Sequence, residues 1–139
     1  MSKFSERYKT NRSAEEDGIW VDFGDGIKVK IRRMNSQHSK DTRQVLEKPY
    51  AAAFRGREMP QSLQEELMNK QLAQSIVVEW EGVEDPTKEG KMLPFSQENV
   101  LRICAEVKDF RDDILTAAME RATFQTQILK ESEGNSKAV

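Results

Sequence analysis

The chain has 139 residues, 37% of them hydrophobic and 33% charged, with 22 basic and 24 acidic residues and a formal net charge of −2. That length supports one domain with a modest core and not two, and the balanced charge gives no general attraction to nucleic acid or membrane. The single cysteine, Cys104, excludes an internal disulfide framework and fits a reducing compartment.

Residues 1–17 are polar and aperiodic, with Phe4 and Tyr8 as the only bulky apolar groups, and read as a flexible lead-in. The opening stretch lacks the apolar run of a signal peptide, and no segment approaches the ~20 apolar residues of a membrane-spanning helix. A cytosolic protein is therefore expected. From Gly18 to Met34 the sequence GIWVDFGDGIKVKIRRM predicts a β-hairpin. Gly24-Asp25-Gly26 supplies turn chemistry, and Ile27, Val29 and Ile31 alternate with Lys28, Lys30 and Arg32. A lone hairpin is marginal in water, so its apolar face needs helices to rest on.

The remainder, 38–130, reads as helical. Leu46, Tyr50, Ala53 and Phe54 make an apolar stripe in a helix over 38–54, capped by Ser39 and kinked or split at Pro49. From Gln61 to Trp80 two adjacent stripes, Leu63-Leu67-Ala73-Val77-Trp80 and Met68-Leu72-Ile76, describe a helix covered on two sides. Its end, SIVVEW, is rich in β-branched residues and also fits a strand, but the unbroken periodicity favours helix. A loop with Gly82, Pro86 and Gly90 leads to Pro94-Phe95 and to Ser96, which caps a helix containing Val100, Leu101, Cys104 and Val107. A last helix from Asp109 carries Ile114, Leu115, Ala118, Ala122 and Leu129 inward, beside Phe110, Phe124 and Ile128. Residues 131–139 are small and polar and read as a disordered tail. The fold class expected is mainly α: a small domain over 18–130 of about four helices, with an N-terminal β-hairpin over 18–34.

Catalytic constellations are missing from the sequence. His38 is the single histidine, at a polar helix entry, so a surface role is the simpler reading. Cys104 lies on an apolar stripe with no histidine to activate it. No P-loop, HExxH, GxGxxG or CxxC pattern occurs. A non-catalytic protein without cofactor, metal or small-molecule substrate is expected. Lys28, Lys30, Arg32 and Arg33 form a basic ribbon that would suit phosphates, but alternating lysines also guard exposed strands against aggregation, which is the simpler account. Trp80 and Phe95 flank the 81–94 loop, and packing against each other would close that corner with no partner needed, since burial gives roughly 1.5–3 kcal/mol for each such side chain. Even so, the chain has more apolar faces than a small four-helix unit requires.

The stretch VVEWEGVEDPTKEGKMLPFSQENVLRI resembles the signature of siphophage tail assembly chaperones, through Trp80, Gly82, Val83, Gly90, Pro94, Phe95, Ser96, Glu98 and Asn99. The earlier segment Gly18 to Arg33, then Asn35 and Lys48-Pro49-Tyr50, agrees with the same family in order, so the resemblance spans about residues 18–130. It implies a protein of the host bacterial cytoplasm that binds the phage tape measure protein, keeps it soluble and helps recruit tail tube subunits. Leu72, Ile76, Phe110, Phe124 and Ile128 are the expected contacts for the client or for self-association, and the Trp80–Asn99 corner is expected to be scaffold. A structural virion component and a nucleic-acid-binding regulator are the competing readings.

Overall fold

The computed structural model describes residues 2–125. Its elements are α1 (Lys3–Tyr8), α2 (Arg12–Asp17), β1 (Ile19–Gly24), β2 (Ile27–Ile31), α3 (Gln37–Glu47), α4 (Gln61–Gln71), β3 (Val77–Glu81), α5 (Gln97–Glu106) and α6 (Lys108–Met119). Residues 121–125 are again helical. The strands form one antiparallel sheet in the order β1-β2-β3. With strand at 15% of the described residues beside 56% helix, the fold is mixed α/β, and the mainly α class with only a hairpin is wrong.

The hairpin forms as its turn residues dictate. Asp25 and Gly26 have φ of 54° and 80°, the pair of positive values that a tight two-residue turn requires. The third strand is what the periodicity concealed. After α4 the backbone makes a single π-helical turn over Leu72–Ile76 and passes straight into β3. There Lys30 pairs with Glu79 and Ile31 with Val77, so Val78 is an extra residue on β3. This bulge lets Val77 and Trp80, three positions apart, both face the core. That spacing is helical in sequence but is produced here by a strand.

The core lies between the sheet and the helices. Val29, Ile31, Leu72, Ile76, Val100, Ile103, Cys104, Ile114 and Ala118 are essentially inaccessible. Phe23 from β1 meets Phe110 from α6 edge-on at 6.0 Å. A smaller cluster of Ala14, Ile19 and Phe124 fastens the N-terminal helices to the sheet. There the Asn11 amide donates to the Phe124 carbonyl at 3.2 Å. The lead-in expected over 1–17 therefore contains two short helices, capped by the Ser2 and Asn11 side chains.

Two helix limits differ from expectation and one agrees with it. Ser36, not Ser39, caps α3, accepting from the Ser39 amide at 3.3 Å. The buried Ser39 hydroxyl instead accepts from Gln71 Nε2 at 2.7 Å and ties α3 to α4. At Pro49 the helix does end, and the chain continues as a 3₁₀ turn over Lys48–Tyr50. The last helix stops at Met119 because the Ala118 carbonyl accepts from the Met34 amide at 2.8 Å, where a continuing helix would bond it to Ala122. Ile128, Leu129 and the tail expected over 131–139 lie outside the described residues.

Candidate functional site

The corner from Trp80 to Asn99 is built on side chain-to-backbone bonds. Trp80 is buried; its indole Nε1 donates to the Leu93 carbonyl at 2.9 Å, and its ring meets Phe95 edge-on at 5.9 Å. The loop closes on itself through Leu93 N–H to Val83 O and Asp85 N–H to Lys91 O, both at 2.8 Å. Ser96 caps α5 by accepting from the Asn99 amide at 3.0 Å, while Asn99 Nδ2 donates back to the Pro94 carbonyl at 2.9 Å. Glu98 is exposed in the first turn of α5, where its charge complements the helix dipole. Asp85 accepts from Thr87 and from Arg102 at 3.0 Å. The Arg102 guanidinium, with Thr87 adding to it, holds the Asp85 carboxyl well below the usual carboxylate range. Nothing in the residue spacing had singled out this ion pair.

Gly82 sits where the corner touches the hairpin. Its φ is +75°, and a Cβ there would overlap the Gly26 carbonyl. Beside this contact opens a cleft of about 360 Å³, floored by Ile27, Val83, Ile103, Val107 and Phe110. Its charged lining residues are Asp25 and Glu84, both exposed and both acidic. Among the described residues Phe110, half-buried, is thus the one expected contact that lines this cleft, Ile128 lying outside them. Leu72, Ile76 and Phe124 are fully buried, the first two in the main core and Phe124 in the cluster with Ala14 and Ile19. Sequence periodicity marks a residue as apolar and on a face, but not which face is already covered.

The basic ribbon is not a free cationic surface. Across the sheet Asp22, Lys28 and Glu81 stand in register, as do Trp20, Lys30 and Glu79. Cross-strand opposite charges of this kind are mutually stabilising. Arg32 donates to the backbone carbonyls of Glu16 and Ser75, and Arg33 pairs with Glu15 at 2.7 Å. Arg32 and Arg33 are thereby engaged within the fold, while Lys28 and Lys30 each stand beside a carboxylate-bearing residue of β3.

Cys104 is buried against the core, and that burial pushes its thiol up to about 11. The nucleophilic thiolate is accordingly scarce at neutral pH. Native protein at pH 8 is expected to react with a thiol reagent such as DTNB only on the timescale of unfolding, while guanidinium-unfolded protein reacts at once. Rapid labelling of the native chain would refute the burial.

These features define a small α+β domain with an acidic-rimmed apolar cleft at its hairpin–corner junction. A model of the YdaY prophage protein family matches residues 28–135, and the chain belongs to that family. It is therefore phage-derived. No curated protein and no solved structure matches it. Among the described residues no helix is long and apolar enough to cross a membrane.

Proposed function

We propose that the protein is a phage tail assembly chaperone acting in the host cytoplasm: it binds the tape measure protein, keeps it soluble and promotes assembly of the tail tube around it, without catalysis. The observation carrying this reading is the open apolar cleft at Phe110, set against the corner whose residues resemble those chaperones. Prophage family membership agrees with it. A client with long amphipathic helices would bury an apolar side chain against Phe110, Ile27 and Val107 and place a lysine or arginine near Asp25 and Glu84. The contact set thus moves from Leu72, Ile76 and Phe124 to the cleft, and the corner from Trp80 to Asn99 serves as its scaffold.

Co-expression with the phage's tape measure protein tests this. Wild-type chain is expected to move the tape measure protein into the soluble fraction. Phe110→Asp and Glu84→Lys, each shown to be folded by circular dichroism, are expected to lose most of that effect. Absence of rescue by the wild type would sink the proposal. Recovery of the chain from purified virions in stoichiometric amount would favour a structural tail component instead.

A further inference from the structure

A second surface is left over by the core, and it has the opposite charge. Leu46, Tyr50, Phe54, Met59 and Leu63, spread over the α3–α4 connection, are only half-buried, and none belongs to either core cluster. Val45 beside them is 70% exposed. Of the apolar stripe in 38–54, Leu46 lines a groove and none of its residues joins the core. Along α3 run two adjoining clefts, of about 230 and 330 Å³, which share Arg43 and Gln71 as lining residues. Four methionines line them: Met59 and Met68 at one end, Met34 and Met119 at the other. Methionine side chains are flexible and polarizable and adapt to differently shaped apolar partners.

We infer that this groove docks an amphipathic helix of a partner protein, with apolar side chains seated on the methionines and carboxylates along the flank. Charge selects that partner. Arg33, Lys40 and Arg43 line the groove against one carboxylate, Glu47. Arg43 holds Glu47 in an exposed pair within the same helix, and Arg33 is engaged with Glu15. Lys40 has no ion pair among the described residues. An incoming acidic side chain meets Lys40 directly and exchanges with Glu47 at Arg43, whereas a basic one meets like charge. The eleven residues of α3 give a wall of about 16 Å, enough for three turns of helix with anchors at i, i+4 and i+7. This surface is separate from the cleft at Phe110, and its assignment does not depend on the chaperone reading.

The test uses the full chain and two fluorescently labelled helical peptides of identical leucine spacing, one flanked by glutamates and the other by lysines. The glutamate peptide is expected to bind at least ten times more tightly than the lysine peptide, with affinity falling as salt rises. Lys40→Glu with Arg43→Glu should weaken the glutamate peptide at least ten-fold, and Phe110→Asp should leave it unchanged. Equal binding of both peptides, or no effect of the double charge reversal, overturns the inference. So does a dimer, by light scattering, that the double reversal converts to monomer, because the occupant would then be a second copy of the chain.

Discussion

Replacing Gly82 with alanine is expected to lower the melting temperature by roughly 10 °C or more, corresponding to about 3 kcal/mol. Two penalties combine. An alanine at φ +75° costs about 1–2 kcal/mol for the left-handed conformation alone. The added methyl then meets the Gly26 carbonyl, a backbone atom of the hairpin turn that cannot swing aside as a side chain would. Gly90 provides the control, since its φ is +76° but a Cβ added there would have no neighbour within 4 Å. Gly90→Ala should show only the conformational penalty. Thermal denaturation of the two variants followed by circular dichroism decides the matter, and equal melting temperatures would show that the hairpin–corner contact is not tight.

Leu72→Asp is expected to abolish folding. Truncating a fully buried leucine costs ~2–5 kcal/mol, and an unpaired carboxylate among Ile76, Val100 and Ile114 adds a larger desolvation cost. A domain of this size has about 5–15 kcal/mol to lose. The variant should appear in inclusion bodies and give a random-coil spectrum, while Leu72→Met, which conserves volume, should cost under about 1.5 kcal/mol. A folded Leu72→Asp would place this residue on an accessible surface. The distinction bears on function: loss of client solubility in Leu72→Asp reports unfolding, and only Phe110 and Glu84 interrogate the cleft.

Several local signals in the sequence translated faithfully, the Ser39 cap excepted. Gly24-Asp25-Gly26 made the turn, Ser96 capped α5, Pro49 ended α3, and Trp80 packed on Phe95 as their positions on either side of the loop suggested. What the sequence hid were features that shift the count by one residue. The π turn at Leu72–Ile76 and the bulge at Val78 each insert a residue, and together they keep a helical apolar spacing running through a strand. The break at Met119 was hidden for another reason: the amide that ends α6 comes from Met34, distant in sequence. The candidate contacts failed likewise. Leu72, Ile76 and Phe124 look no different in sequence from Phe110, and only the sheet and the N-terminal helices determine which of them stays uncovered.

The passage from α4 through the π turn into β3 has no intervening loop, so Gln61 to Glu81 is regular structure throughout. One end of that segment lines the methionine groove, and the other carries Trp80 into the corner. Loops are where domains flex, and here none separates the two surfaces. On the two docking proposals above, the spacing between the occupants would be set by regular backbone and not by a hinge.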